Sequence, residues 1–423
     1  MPANNQILLF DSNPPESDEA AQALFHNRKG ELSWAARQLR AHLAATKILA
    51  IHGDTRTGKS HFARRMLFDA TDALLGLSVI INANQRETAQ NLLVDLFGEL
   101  SVQLRGLDEW DRSHPILKGI FDDFVEFSSL VIPLIFGEVD QIELGVGRRL
   151  FSKASATMAL TPTFTELGFT AEYGEETTAS EKRILRAPRG SQLAVFCKWM
   201  GEAISELLGG PLLILVDDQD LLSTQSDGWA ATSELVSALK FVAASPSIVV
   251  MATVRSAYWN GREKDLIDFV EVRPFGDADM KAVYQLRMDA YNDGEAVFSP
   301  TALRWLLDGA DGRVGMFLQR CHQLNRRFYL RDGKVGVREI RTWIDEELDT
   351  LWRHPGEQQV LGKVYDEVRR GHIELQLSGD DLALLRRSKL WLHVLKPLPN
   401  APDRCSIDPL YLEAIRDKVS ASS

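Results

Sequence analysis

Cysteine and long apolar runs are both scarce in this chain. Its 423 residues include only three cysteines, Cys197, Cys321 and Cys405, and these lie too far apart to predict a disulfide framework or a zinc site. No apolar run approaches the ~20 residues that a membrane-spanning helix needs. The first residues also lack the basic and then apolar pattern of a secretory leader. We therefore expect a cytoplasmic protein with no membrane partner.

Positive charge is also in short supply. The chain has 48 lysine and arginine residues against 59 aspartate and glutamate residues, which gives a net charge of −11 at pH 7. This balance argues against a protein whose whole surface binds nucleic acid, although it permits a local basic patch. The length and the apolar fraction are those of a globular chain with two or three domains.

What the sequence does contain is one glycine-bearing motif between a strand pattern and a helix pattern. Residues 53–60 read G-D-T-R-T-G-K-S, which fits the phosphate-binding pattern G-x-x-x-x-G-K-[ST]. The apolar run 47–52 precedes it, and an amphipathic helical pattern follows it. In such a loop, backbone N–H groups and the helix N-terminus face the phosphates. We predict that the phosphates contact Gly53, Asp54, Thr55, Arg56, Thr57, Gly58, Lys59, Ser60 and His61.

Two residues of this motif have individual predicted roles. The ammonium group of Lys59 reaches the β- and γ-phosphates in loops of this type. The hydroxyl of Ser60 is the corresponding Mg²⁺ ligand.

Four more apolar runs predict that the loop belongs to an α/β fold with a parallel sheet. They lie at residues 77–82, 211–218, 247–254 and 268–272. The second run ends in Asp217 and Asp218, at the edge of the sheet where ligands bind in such folds. We expect Asp217 to hold Mg²⁺ together with Ser60, and Asp218 to orient or deprotonate the attacking water.

Three further side chains are candidates for the same site. Thr253 ends the next strand and is predicted to hydrogen-bond the γ-phosphate or its water, with simple β-propensity as the alternative. Arg255, just beyond it, either senses the same phosphate or forms a surface salt bridge. Arg262 is a candidate arginine finger that acts on a neighbouring subunit.

Composition and periodicity divide the chain into four regions. We predict a flexible N-terminal arm at 1–23, a core at 24–275, a helical region at 276–354 and a smaller domain at 355–423. Within the core, residues 105–190 are interpreted as an insertion of unassigned role. It is predicted to be helical over 116–136 and to form one or two β-hairpins over 141–176. The basic residues 182–190 are interpreted as a connection to the next helix.

Over residues 24–330 the chain resembles the AAA+/STAND branch of P-loop ATPases, particularly its origin-recognition-like members. Residues 25–32, F-H-N-R-K-G-E-L, are similar to the entry box that packs near the adenine in that family. The resemblance therefore implies a nucleotide contact for Arg28. Asp217 and Asp218 match the family's acidic strand end, although many AAA+ members have glutamate in place of Asp218.

The same resemblance assigns the C-terminal half. Residues 309–313 look like the start of the lid helix that carries a phosphate-sensing arginine, which places this role on Arg313. Residues 355–423 look like a winged helix. Arg386, Arg387 and Lys389 give one helix of this region positive charge. The region has 10 Lys/Arg and 10 Asp/Glu residues in total, so packing against protein is favoured over binding to DNA.

These observations lead to three functional hypotheses. The first is a slow ATPase that uses ATP and Mg²⁺ as a switch to control assembly with itself or with a partner protein. The second is an origin-recognition-like or transposition-regulator ATPase with ATP-dependent DNA binding. The third is a regulatory module that holds nucleotide without turnover, for which Asp218 in place of glutamate is the argument.

Overall fold

The computed structural model describes most of the chain, in segments separated by short and long gaps. The described residues are 28–42, 48–83, 88–107, 110–144, 183–186, 190–218, 229–256, 266–292, 295–329, 334–353, 355–376, 378, 394–398 and 401–421. The elements are, in chain order, α1 (Lys29–His42), β1 (Ile48–Gly53), α2 (Lys59–Leu74), β2 (Leu77–Asn82), α3 (Ala89–Gly106), α4 (Pro115–Ile135), β3 (Gln141–Leu144), β4 (Arg183–Arg186), α5 (Ser191–Leu208), β5 (Leu212–Asp217), α6 (Trp229–Val242), β6 (Ile248–Arg255), β7 (Leu266–Glu271), α7 (Asp277–Tyr291), α8 (Pro300–Ala310), α9 (Val314–Leu324), α10 (Val337–Trp352), α11 (Pro355–Arg369), β8 (Glu374–Gln376), β9 (Leu395–Leu398), β10 (Ala401–Ile407) and α12 (Pro409–Ala421).

A five-stranded parallel sheet forms the centre of the core, in the order β2-β5-β6-β1-β7. Strands β1 and β5 are buried at every position, which explains why both are written as unbroken apolar runs. The predicted α/β fold with a parallel sheet is therefore confirmed. The last strand, β7, begins at Leu266, two residues earlier than the pattern predicts.

Helices cover both faces of this sheet, and alternate strand residues contribute to two separate hydrophobic clusters. On one face, α1 and α2 pack against the sheet, and α2 buries Phe62, Met66 and Leu67 as its periodicity predicts. On the other face, α3, α4, α5 and α6 form the larger cluster. The sheet edge that carries the loop and the acids is therefore held from both sides.

Part of the predicted insertion joins the larger cluster. Helix α4 packs against α5 through Phe127 and Phe196, whose ring centroids lie 5.0 Å apart in an edge-on arrangement. The strand β3 pairs antiparallel with β4, so a strand lies within the stretch that the sequence reading treated as a connection. Strand β4 has only two apolar residues, between two arginines, and Pro188 and Gly190 follow closely, so its sequence does not show a strand pattern. The predicted hairpins over 141–176 lie almost wholly outside the described residues.

The helical region and the C-terminal region share one hydrophobic cluster. Leu306, Phe317 and Trp343 belong to it from the first region, and Leu361 and Tyr411 from the second. Strands β8, β10 and β9 form a small antiparallel sheet in that order. Residues 379–393, with the predicted basic helix, lie outside the described part of the chain, as does the arm at 1–23. The winged-helix assignment and the domain boundaries stay predictions.

Helix α9 continues into a π-helical turn, Asn325–Tyr329. Among the helices that the structure describes, none is both long enough and apolar enough to cross a bilayer.

Candidate functional site: a phosphate-binding loop

The predicted phosphate loop connects the C-terminal end of β1 to the N-terminus of α2. Gly58 has a φ of +93°, a left-handed conformation that glycine adopts without steric cost. At Gly53, an added Cβ would lie 2.3 Å from the carbonyl oxygen of Val272. The first glycine is thus required by a close backbone approach, and the second by the sharp entry into the helix.

Within the loop, polar groups converge on one carbonyl oxygen. The ammonium group of Lys59 donates to Asp54 O at 2.8 Å, and the Thr57 hydroxyl donates to the same oxygen at 2.9 Å. Lys59 is 6% exposed. No side chain caps the N-terminus of α2, so its first N–H groups, with the partial positive charge of the helix end, face the loop. This arrangement suits a phosphate group.

The acidic pair lies at the same edge of the sheet. Asp217 ends β5 and is buried, whereas Asp218 follows it in a left-handed conformation with a φ of +53°. Thr253 of the adjacent strand β6 connects the two residues. Its hydroxyl donates to Asp217 Oδ1 at 2.7 Å and accepts from the Asp218 N–H at 2.7 Å. The structure thus assigns the Thr253 hydroxyl to orienting the acids, and its predicted contact with the γ-phosphate stays a prediction.

An arginine that the sequence reading did not single out also reaches Asp217. The guanidinium of Arg64 lies 3.8 Å from Asp217 Oδ2, and its side chain is 13% exposed. Arg64 lies four residues after Ser60 in α2, so the two side chains share a helix face. This spacing was the available signal. The positive charge of Arg64 beside Asp217 partly compensates the buried carboxylate.

Arg28, predicted from the family resemblance to contact nucleotide, joins three segments. Its guanidinium donates to Thr57 O at 3.3 Å and to Arg273 O at 2.6 Å, and lies 4.3 Å from the ring centroid of Phe275. Burial lowers its pKa, and the neighbouring Glu31 opposes this effect. Arg28 therefore ties the entry of α1 to the loop and to the segment that follows β7. A direct nucleotide contact stays a prediction.

The helix α9 begins directly against the loop. The N–H of Gly315 donates to Arg56 O at 2.9 Å, and a Cβ on Gly315 would lie 3.2 Å from that oxygen. Arg56 has a φ of +65°, an unfavourable conformation for this residue type, and its guanidinium donates to Gln319 of α9. The predicted lid is thus connected to the phosphate loop by both backbone and side-chain hydrogen bonds.

Arg313, the predicted phosphate-sensing residue, immediately precedes α9. Its guanidinium lies 3.5 Å from Asp408 Oδ2, and Arg320 donates to the same oxygen at 2.8 Å. The pKa of Arg313 is lowered, mainly by burial and also by the nearby charge of Arg320. The carboxylates of Asp408 and of Asp54 in the loop oppose this effect. Arg313 therefore lies between the phosphate loop and the C-terminal region.

Arg320 and Asp408 were missed in the sequence. Burial acts to lower the pKa of Arg320, but the attraction of Asp408 leaves it above its ordinary value. The pair Asp408-Pro409 is a typical helix start, and this signal identifies a cap without indicating which arginines the carboxylate holds. Arg320 and Asp408 lie 88 positions apart in the chain, so a local pattern does not predict that they pair.

Four of the other predicted site residues lie in the loop or beside it. Arg255 lies in register with Gly53 where β6 pairs with β1, so it lies at the edge that carries the loop. Thr55, Ser60 and His61 are half-buried in and beside the loop. Arg262 lies outside the described residues, and its role as an arginine finger stays a prediction.

A separate, shallow pocket lies between α1 and β7. It has a volume of about 550 Å³ and is lined by Gly30, Glu31, Trp34, Phe269, Val270 and Glu271. Two carboxylates and an aromatic pair with ring centroids 6.0 Å apart do not suit a phosphate group. We therefore place the candidate site at the loop.

The residues present fit a nucleoside triphosphate and Mg²⁺. Gly58 adopts the left-handed conformation that turns the loop into the helix, and the ammonium of Lys59 supplies positive charge at a helix N-terminus. Ser60 and Asp217 would hold the metal ion, because a hydroxyl and a carboxylate are hard oxygen ligands of the kind Mg²⁺ prefers. The parallel sheet, the loop and the acidic strand end define a P-loop NTPase core.

Comparison with known proteins adds a fold likeness at low identity. No protein-family model and no curated protein matches the chain. A structure of Drosophila ORC bound to DNA is similar over 98% of this chain and 90% of that chain, with 12% identity and a TM-score of 0.42. Cdc6p from Pyrobaculum aerophilum is similar over 98% of both chains, with 13% identity and a TM-score of 0.40.

Similarity at this level does not decide function. The function depends on the geometry of the site itself.

Proposed function

We propose that the protein binds ATP with Mg²⁺, hydrolyses it slowly, and uses the bound nucleotide to control assembly with itself or with a partner protein. The observation that carries this proposal is the phosphate loop, in which the buried ammonium of Lys59 is held against Asp54 O at 2.8 Å at an uncapped helix N-terminus.

Charge supports a triphosphate as the ligand of the loop. Arg56 and Arg313 add to Lys59 beside the loop, and burial together with Arg320 and Arg313 lowers the pKa of Arg56. An arginine keeps its proton even so, which means that the site gathers positive charges that repel one another. A polyanion relieves this repulsion, and ATP carries more phosphate charge than ADP or AMP.

Asp218 supports hydrolysis as well as binding. Its backbone N–H is fixed by Thr253, and its left-handed conformation turns it out of the strand direction of β5. A carboxylate so placed can orient a water or accept its proton, while bound Mg²⁺ neutralises phosphate charge. Aspartate is one methylene shorter than the glutamate found in many AAA+ proteins, so we expect slow turnover.

The contact between loop and α9 supports a switch. The Gly315–Arg56 hydrogen bond and the Arg56–Gln319 hydrogen bond pass directly from the phosphate loop to α9. A change in the loop on nucleotide binding therefore acts on α9. Since α9 shares a hydrophobic cluster with the C-terminal region, such a change has a route to that region.

Nucleotide titration tests the proposal. We expect the purified protein to bind ATP in a Mg²⁺-dependent manner, and Lys59→Ala to weaken this binding by at least about tenfold, which corresponds to ~1.4 kcal/mol. Lys29→Ala is the matched control, because Lys29 is an exposed lysine at the start of α1. Equal ATP affinity in the Lys59 variant and the wild type would refute nucleotide binding at the loop.

Two further measurements separate turnover and assembly from binding. Steady-state phosphate release distinguishes an ATPase from a module that only holds nucleotide, and Asp218→Asn should abolish release without abolishing binding. Light scattering with and without ATP, alone and with a partner taken from the gene neighbourhood, tests assembly. An unchanged mass in every condition would reject the switch while leaving the ATPase intact.

The described part of the C-terminal region does not favour the DNA-binding alternative. Several of its exposed cations are paired with carboxylates, as in Arg370–Glu367 at 2.7 Å and Arg404–Glu374 at 2.7 Å. A basic residue that is already paired adds little to phosphate binding. A mobility shift at low salt, with and without ATP, distinguishes this alternative from the leading proposal.

A further inference from the structure

Asp408 connects the C-terminal helix α12 to the start of α9 through both of its carboxylate oxygens. Its Oδ1 accepts from the N–H of Leu410 at 2.9 Å, which caps the N-terminus of α12. Its Oδ2 lies 2.8 Å from Arg320 and 3.5 Å from Arg313. One carboxylate thus caps a helix and binds two guanidinium groups.

The two arginines are not equivalent partners. Arg320 lies at hydrogen-bond distance, and its side chain is 1% exposed. Arg313 lies at the longer distance, and its side chain is 12% exposed. A charge pair weakens with distance and with access to water. Asp408 can therefore lose its contact with Arg313 and still keep its contact with Arg320.

Arg313 is also the partner that lies beside the phosphate loop. Asp54 of the loop contributes to its electrostatic environment, and two residues later Gly315 donates to Arg56 O at 2.9 Å. Val314, the residue after Arg313, also touches the loop: a Cβ added at Gly58 would lie 3.1 Å from its side chain. The first residues of α9 therefore rest on the loop, and Arg313 immediately precedes them.

We propose that Asp408 is a positioning residue that competes with the terminal phosphate of bound ATP for Arg313. The proposal depends on the ATP binding proposed above. When the γ-phosphate draws the guanidinium of Arg313 toward the loop, Asp408 keeps Arg320 but loses one of the two cations that hold its carboxylate, so the cap of α12 is held less firmly. Because coupling is reciprocal, occupancy of the loop and the state of the α12 N-terminus then influence each other.

Affinity measurements with three variants test the competition. In Asp408→Asn the carboxylate charge is absent, so affinity for the β,γ-imido analogue of ATP should rise by about threefold to tenfold while ADP affinity changes by less than about twofold. Arg313→Gln should lose the preference for the triphosphate. In the double variant, the change at Asp408 should have no further effect on either nucleotide.

A matched control separates this effect from a general weakening of α12. Arg341 of α10 forms an exposed ion pair with Glu413 of α12 at 2.8 Å, so Arg341→Gln also removes a charged link to that helix. We expect this variant to bind both nucleotides with wild-type affinity. If it shifts the triphosphate preference as Asp408→Asn does, the proposed competition is wrong.

A measurement on the unaltered chain covers the case in which Asp408→Asn fails to fold, since that variant removes the partner of a buried arginine. Hydrogen exchange of peptides that cover residues 408–412 should speed up with the ATP analogue and not with ADP. Arg313→Gln should abolish this difference, and Arg341→Gln should preserve it. Identical exchange with both nucleotides would overturn the proposal, whereas failure of the wild type to bind either nucleotide would overturn the ATP-binding function instead.

Discussion

The hydroxyl group of Thr253 lies 2.7 Å from Asp217 Oδ1 and donates a hydrogen bond to it, while the N–H of Asp218 donates to the same hydroxyl. These contacts exist because β6 lies next to β5 in the sheet. Thr253 is fully buried, so the hydroxyl has a fixed orientation. The geometry of the acidic pair is therefore set by a side chain of the neighbouring strand.

Replacing Thr253 with valine keeps the shape and removes the hydroxyl. We expect Thr253→Val to destabilise the fold by about 1–3 kcal/mol, because it leaves a buried carboxylate oxygen and an N–H without this partner. ATP hydrolysis should slow by at least about tenfold, or ~1.4 kcal/mol in the barrier, with ATP affinity nearly unchanged. Urea unfolding and phosphate release measure the two effects. Thr253→Ser, which restores the hydroxyl, should recover most of both.

We predict that Arg64 competes with Mg²⁺ for Asp217, whose Oδ2 lies 3.8 Å from its guanidinium. Arg64→Gln should lower the Mg²⁺ concentration for half-maximal ATP binding by roughly twofold to tenfold. The reason is that opposite charges about 4 Å apart attract by ~4 kcal/mol at an effective dielectric constant of about 20, before solvation is subtracted. Arg65→Gln is the control, because Arg65 pairs with Asp69 at 2.6 Å. A higher Mg²⁺ requirement in Arg64→Gln would contradict this account.

Arg28 holds the entry of α1 against the loop and against the segment after β7. We expect Arg28→Lys to lose about 1–3 kcal/mol of stability, because an ammonium group cannot reproduce two hydrogen bonds and stacking on Phe275 at once. Thermal unfolding with and without ATP would show the loss. Arg37→Gln, an exposed change in the same helix, should have little effect.

Gly53 and Gly98 should respond to alanine in opposite ways. At Gly53 a Cβ would lie 2.3 Å from Val272 O, so the backbone must shift, and we expect a loss of about 1–3 kcal/mol together with weaker ATP binding. At Gly98 of α3 an added Cβ meets no atom within 4 Å, so alanine should stabilise the helix by about 0.5–1 kcal/mol. Urea unfolding of the two variants measures this contrast, and equal shifts would refute it.

The three cysteines should be unreactive in the folded chain. Burial raises the pKa of the Cys197 and Cys321 thiols well above the ordinary range and that of Cys405 to about 12, and only the thiolate reacts. A thiol reagent at pH 8 should label none of them within minutes in buffer and all three in denaturant. Because the folded pKa values are raised, stability should fall as the pH rises above about 8.5, where unfolded thiols begin to ionise. Rapid labelling of the native protein would contradict the burial.

The loop, the strands of the parallel sheet and most helices follow from the sequence alone. Gly58 and Lys59 belong to a pattern whose local chemistry dictates its own conformation, and the apolar runs that became β1 and β5 can only be buried on both faces. The positions of Lys59, Ser60, Asp217 and Asp218 at one sheet edge also follow, because parallel strands all end on the same side. These features depend on neighbours in the chain or on the general geometry of a sheet.

Tertiary structure alone decided which charges meet. The ion pairs Arg64–Asp217, Arg313–Asp408 and Arg320–Asp408 join segments far apart in sequence, and helix periodicity does not identify the carboxylate that each arginine meets. Whether an arginine is a surface residue or a buried partner depends on how helices from different regions pack, since only packing excludes the water that would otherwise solvate it. The sequence specifies a phosphate loop, and the packing of α9 and α12 determines which cations and carboxylates surround it.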